Sequence, residues 1–211
     1  MKIEINSMPL FDKRKRHAEL SEYAGMHGFT IDKSMNYRIW KNHLPKFKLF
    51  TQKSNKKIRN IISFPLSELE GRIKIFDFLY SDDDMEYKRT TALLFKSELL
   101  DLPRFRIKPK GFDAILGKLF MTEYPLFPEY PMFSKQYKVV GKNRAEMRYA
   151  IKPEIFPILT HDQKWTLEGT GPYLLWYRKG KTQKRRELTN FCETGIEICH
   201  QMINGDSNDY V

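Results

Sequence analysis

The sequence is poor in the features that mark secreted, membrane-spanning or metal-dependent proteins. It has two cysteines in 211 residues, too few for a disulfide framework. Cys192 and Cys199 lie seven apart in a segment with helical periodicity, which separates them by about 10 Å, beyond the span of a disulfide. Free, buried thiols suit a reducing compartment. The longest apolar runs are short, as in Pro172–Tyr177, against about 20 residues for a spanning helix. No apolar stretch of signal-peptide length precedes Lys13-Arg14-Lys15-Arg16, so a cytoplasmic location is expected. There is no glycine-rich phosphate loop of the Walker or dinucleotide kind, and His17, His27, His43, His161 and His200 show no zinc-ligand spacing. No metal, no cofactor and no catalytic residue is assigned.

What the chain has is material for a core. Apolar residues make up 41% of it and aromatics 14%, and folding at this length removes roughly 70% of the unfolded surface from water. No Pro/Gly/Ser-rich linker divides it and no internal repeat stands out, so one α+β domain over 1–211 is expected. The net charge of +11 is unevenly spread. Residues 1–60 carry 14 Lys and Arg against five acids, whereas the remainder carries 23 against 21. A basic N-terminal third of this kind attracts anionic partners.

Periodicity predicts a helix over 12–27, capped by Asp12, with Leu20, Tyr23 and Ala24 as its apolar stripe and Gly25 and Gly28 at its end. Residues 33–57 interleave aromatics with bases around Pro45 and read as irregular or short helical structure. Strands are predicted over 58–66, 72–80 and 88–96, an antiparallel meander with a turn at Asp82–Asp84. Pro103 and Pro109 flank Phe105-Arg106-Ile107 and suggest a short edge strand. A helix over 112–120, a rigid proline-rich connection over 122–132, a strand over 137–140 and a helix over 142–151 follow. A short helix or turn comes after Pro153, and residues 164–169 and 173–179 form a second β-hairpin. A C-terminal amphipathic helix over 187–203 presents Leu188, Phe191, Cys192, Gly195, Ile196, Cys199, Met202 and Ile203 on one face. Residues 204–211 form a frayed tail.

The ordered strings Phe76-Asp77-Phe78-Leu79-Tyr80, Leu100–Pro109, then Gly111, Leu116-Gly117 and Phe120 resemble those of an uncharacterised family of small cytosolic bacterial proteins. Phe133, Tyr137, Gly141, Trp165–Gly169, Leu174 and Tyr177–Gly180 extend the resemblance over roughly residues 58–180. It implies a cytosolic α+β domain of unknown function and brings no activity, cofactor or catalytic residue with it.

Three constellations invite a functional reading. Asp77, Glu86 and Lys88 carry the acid and Glu-x-Lys of a Mg²⁺-dependent nuclease. Glu-x-Lys is common, however, and Asp82–Asp84 are what a solvated turn would carry, so the turn is preferred. His161-Asp162 ahead of Trp165 and Glu168 would supply a base and its orienter, but no nucleophile stands at a diagnostic spacing and a polar turn is the simpler account. The third is basic and aromatic: Tyr37, Arg38, Trp40, Lys41, Phe47, Lys48, Phe50, Lys53, Lys56, Lys57 and Arg59, with Lys179, Lys181, Lys184, Arg185 and Arg186 as a second cluster. Cationic grooves lined with aromatics hold single-stranded nucleic acid, and bulky apolar groups beside lysine suit an anionic membrane surface. The bland reading buries the aromatics and solvates the lysines. The sequence therefore points first to a non-enzymatic binding or scaffolding domain whose partner is a protein or an anionic polymer. Nucleic-acid or anionic-membrane association through the N-terminal third is the alternative, and a Mg²⁺-dependent nuclease comes last.

Overall fold

A computed structural model describes residues 10–35, 46–51, 54–81, 87–111, 125–161 and 164–205. Its centre is a run of strands that are apolar on both faces. In β3 (Gly71–Ser81) Ile73 and Ile75 point to one side and Phe76, Phe78 and Tyr80 are buried on the other. The register against β4 (Tyr87–Ser97) is unbroken from Gly71↔Ser97 to Ser81↔Tyr87, so Leu93 and Phe95 join the first side and Ala92 and Leu94 the second. Strands covered on both faces read as near-continuous apolar runs, which is why this part of the meander is plain in the sequence.

The sheet is wider than that meander. Eight strands pair antiparallel in the order β1-β2-β3-β4-β8-β7-β5-β6, adding β1 (Thr30–Met35), β2 (Ser54–Leu66), β5 (Leu102–Pro109), β6 (Tyr137–Gly141), β7 (Thr166–Gly171) and β8 (Tyr173–Tyr177). The β7–β8 hairpin joins the two halves, β8 against β4 and β7 against β5. Two expectations are corrected here. The β1 segment is a strand that runs into the stretch from residue 33 expected to be irregular or short helical; Ile31 packs on the core, and its polar, charged neighbours suit an outer strand. β5 is an interior strand with β6 outside it. Its prolines are tolerated because Pro103 falls in the register break between Leu102 and Phe105 and Pro109 is the last residue.

Helices cover one face, called inner below. α1 (Leu10–Met26) begins ahead of the expected Asp12 cap and ends in a Schellman turn: Phe29 N–H donates to Ala24 O at 2.8 Å and Gly28 N–H to Gly25 O at 3.3 Å, with Gly28 at φ +68°. α2 (Pro131–Gln136) starts on a proline at its first turn, where the sequence suggested extended chain. α3 (Arg144–Ala150) is capped by Asn143, whose Oδ1 accepts from Ala145 N–H and Glu146 N–H at 3.1 and 3.3 Å. α4 (Ile155–His161) and α5 (Arg185–Asn204) complete the layer. At the start of α5 the Glu187 carboxylate accepts from Lys184 N–H at 2.8 Å. α5 buries Leu188, Phe191, Ile198 and Met202, a gross gain of about 6–12 kcal/mol before entropy is set against it. Gly195 lets the helix lie on β4, since a Cβ there would stand 2.6 Å from Leu93 Cδ1.

The outer face carries a second apolar layer, Phe76, Phe78, Tyr80, Ala92, Leu94, Leu175 and Tyr177, against which Phe47, Leu49 and Phe50 pack from a short 3₁₀ turn at Lys48–Thr51. The expected helix over 112–120, the Asp82–Asp84 turn, part of the proline-rich connection and most of the frayed tail lie outside the described residues.

Candidate functional site

Two carboxylates are deeply buried among the described residues, and both are committed to holding the fold. Asp77, 1% exposed, accepts from Arg16 Nε and Nη2 at 3.0 and 3.1 Å, from Thr91 Oγ1 at 2.8 Å and from Asn60 Nδ2 at 3.0 Å. Thr91 Oγ1 in turn accepts from Gln183 N–H at 3.0 Å, and His17 Nδ1 lies 3.0 Å from Asn60 Oδ1. Asn60 reaches both partners from a left-handed backbone, φ +54°, at a register break in β2. The knot ties α1, β2, β3, β4 and the segment before α5 together. A buried charge left without its partner would be costly.

Glu168, 4% exposed on β7, is the second. Its carboxylate accepts from Lys48 N–H at 2.6 Å, Leu49 N–H at 3.1 Å and Tyr177 Oη at 2.6 Å. It thereby caps the 3₁₀ turn and clamps residues 46–51 over the outer face, helped by a bond from Arg104 to Lys46 O. Burial first, then the adjoining carboxylate, raises the Tyr177 phenol far above its ordinary range.

These contacts engage the described acids of both constellations; Asp162 lies outside the described residues. Asp77 faces inward, whereas Lys88 stands opposite Tyr80 and so shares the outward face of that residue. Side chains on opposite faces do not share one Mg²⁺ ion, and Glu86 lies outside the described residues. Trp165 stacks on Trp176 and Phe191 beneath the inner face, away from Glu168, and His161 is exposed at the end of α4. No cluster of His, Cys, Asp and Glu fit for a metal occurs among the described residues. Cys192 and Cys199 are free and buried, and burial raises both thiols, Cys192 to about 11.

The predicted basic patch divides. Arg38, Trp40, Lys41 and Lys53 lie outside the described residues. Lys48 sits on the clamped turn, and Lys56 donates to Phe50 O at 3.0 Å. Lys57 is exposed on β2 and Arg59 half-buried; they stand opposite Leu79 and Asp77 and so face the helix side. Lys181 borders Thr91 by a backbone bond of 2.9 Å, Arg185 pairs with Glu22 at 2.7 Å, and Arg186 is exposed on α5. The aromatics Phe47 and Phe50 are core, as the bland reading held. Among the described residues, Lys48 lies on the 3₁₀ turn, Lys56, Lys57 and Arg59 on β2, and Arg185 and Arg186 at the start of α5.

A different cationic group does assemble. Along β5 the alternation Arg104-Phe105-Arg106-Ile107-Lys108 buries Phe105 and Ile107 inward and sends the three bases outward. Lys108 stands opposite Lys138 of β6, and Arg106 opposite Glu168 of β7. Lys179, just beyond β8, completes the set: burial lowers the Lys108 ammonium, and Arg106, Lys138 and Lys179 lower it further. The period-two alternation is the sequence signal for this cluster, masked when β5 is taken for a short edge strand.

No family model matches the chain, and no curated protein matches it. Among solved structures it is similar to the mycobacterial trehalose monomycolate transport factor A, TtfA, with 10% identity over 90% of this chain and 96% of that one and a TM-score of 0.58. At that identity the likeness establishes the fold alone: the chain shares the α+β architecture of that transport factor.

Proposed function

We propose that this protein is a non-catalytic binding domain whose partner carries negative charge. The observation that carries the reading is the outward cluster of Arg106, Lys108, Lys138 and Lys179, set beside two buried carboxylates that are both consumed by structural contacts. A cationic field with fixed geometry raises the local concentration of anions and speeds their capture. The similar solved structure is that of a transport factor, a role that requires binding, and this lends support to a binder over a catalyst.

A second surface is favoured by one alignment. Arg59, Asp77 and Thr91 are register partners across three strands, and Thr91 N–H donates to Lys181 O. Nucleic-acid or anionic-membrane association through the basic N-terminal third would use Lys57, Arg59 and Lys181 there.

Binding of the full chain to labelled single-stranded DNA, to polyphosphate and to anionic vesicles, each across a salt series, tests the reading. Affinity for at least one is expected to fall at least about tenfold between roughly 50 and 200 mM salt, because phosphate contacts release counterions. Failure to bind all three at the lower salt would remove it. Arg106→Gln/Lys108→Gln against Lys57→Gln/Lys181→Gln decides which surface is used.

A further inference from the structure

β6 is an outer strand of an open sheet, and the backbone groups that such a strand turns outward are a template for a further strand. Lys110 N–H donates to Gln136 O at 2.8 Å. Bonded and non-bonded pairs alternate along an antiparallel ladder, so in the register that continues from there Lys108↔Lys138 and Arg106↔Val140 exchange the β5–β6 hydrogen bonds. The N–H and C=O groups of Val139 and Gly141 therefore point away from β5, about 7 Å apart along the strand. Among the described residues no backbone group pairs with them. Gly141 is exposed, and the Val140 side chain, 36% exposed, adds an apolar step between them. Lys135 and Lys142, in the chain on either side of the strand, are exposed and form no ion pair among the described residues. The acids nearest in sequence are engaged, Glu129 with Arg148 at 2.8 Å and Glu146 with Asn143 at 2.6 Å.

Resting on the binding-domain reading above, we infer that the outward edge of β6 is a docking site for an extended segment of another protein, apolar at its centre and acidic at its ends, which lengthens the sheet by one strand. Backbone bonds to Val139 and Gly141 supply the affinity, and side chains supply the selection. An apolar residue of the incoming strand meets Val140, and its carboxylates meet Lys135 and Lys142. A second copy of this chain is disfavoured, because self-pairing of so short a strand (Tyr137–Gly141) gathers Lys135 and Lys142 of both copies about one ladder, and opposed like charges destabilise it. The same lysines thus turn the edge away from itself and towards an acidic strand.

The nitrogen-15-labelled full chain is titrated with a short synthetic peptide, valine at its centre and glutamate at both ends, and with its lysine-ended counterpart, while the amide resonances are followed by NMR. Saturable binding of the glutamate-ended peptide is expected, with the Val139 and Gly141 amide protons moving downfield and gaining protection from exchange. The lysine-ended peptide should bind at least about tenfold more weakly. Val139→Pro removes an outward N–H and no ladder bond, and should weaken binding by about tenfold or more. Lys135→Glu/Lys142→Glu should reverse the preference between the two peptides, and it keeps the site testable if Val139→Pro fails to fold. Lys33→Glu/Arg72→Glu, which reverses two exposed cations on β1 and β3, should leave both affinities within about twofold. No saturable binding, binding that leaves Val139 and Gly141 unshifted, unchanged affinity in folded Val139→Pro or unchanged preference in the charge-reversed variant overturns the site. So does a dimer in sedimentation whose formation moves the same two amides, since that assigns the edge to a second copy. In any of these cases salt-sensitive binding of a polyanion by the wild type keeps the binding-domain reading standing, whereas failure of every polyanion as well removes both.

Discussion

Replacing Asp77 with alanine strands a guanidinium inside the protein. Arg16 is 6% exposed and gives two of its donors to that carboxylate, at 3.0 and 3.1 Å; in the variant Thr91 Oγ1, at 3.2 Å, is the one remaining partner of its Nη2 among the described residues. Asn60 Nδ2 and the Thr91 hydroxyl lose their acceptor as well. Removing one member of a buried pair costs about 3–5 kcal/mol, and at about 2–4 °C per kcal/mol for a domain of this length the melting point should fall by about 6–20 °C. Urea unfolding followed by the fluorescence of the buried Trp165 and Trp176 measures the loss, with the m-value unchanged if the folded state keeps its surface. The apolar double variant Arg16→Met/Asp77→Leu provides the control, because it removes the stranded charge and leaves only Asn60 Nδ2 and the Thr91 hydroxyl without their acceptor, and it is expected to be less destabilised than Asp77→Ala. A cost below about 1 kcal/mol for Asp77→Ala, or a double variant as unstable as the sum of the singles, would refute the argument.

Other expectations follow from the same packing. Glu168→Gln replaces a charged acceptor of three hydrogen bonds and should cost about 1–3 kcal/mol, with amide exchange accelerating at Lys48 and Leu49 ahead of the rest of the chain; unchanged protection there would contradict the clamp. Gly169→Ala would place a Cβ 2.3 Å from Phe105 Cε1 and should destabilise by about 1–3 kcal/mol, whereas Gly25→Ala meets nothing within 4 Å and should gain up to about 1 kcal/mol, both read from denaturant midpoints. Burial raises Tyr23 from 10.0 to about 12 and Cys192 from 9.0 to about 11. Folding therefore favours their neutral forms, a contribution complete below the unfolded values and lost as pH climbs through the folded ones. Stability should decline above about pH 9, and Cys192→Ala should flatten the first part of that decline in pH-resolved melts.

The meander, the β7–β8 hairpin and the C-terminal helix are legible in the sequence because their apolar residues recur at two, or at three and four, and both periods survive tertiary packing. β1 is not, since Thr30, Asp32, Lys33 and Ser34 around Ile31 leave almost no apolar alternation. The position of β5 is hidden because proline, read without its register, suggests an edge: a bulge and a strand end release it from the ladder. The basic third of the chain is visible as composition, but which face each lysine takes depends on bulges at Asn55 and Asn60, both with positive φ, which no counting of charges reveals. Glu168 stands out in the sequence for the wrong chemistry. Its partners come from residues 119 and 120 positions away, a pairing that belongs to topology and not to any local motif.

The most direct test of the cationic outer face is the titration of Lys108 itself, followed by carbon-13 NMR at its ε-methylene. The account predicts a midpoint below the ordinary 10.5 that moves upward when Lys138 is changed to glutamine. A midpoint at or above the ordinary value, indifferent to that change, would contradict it.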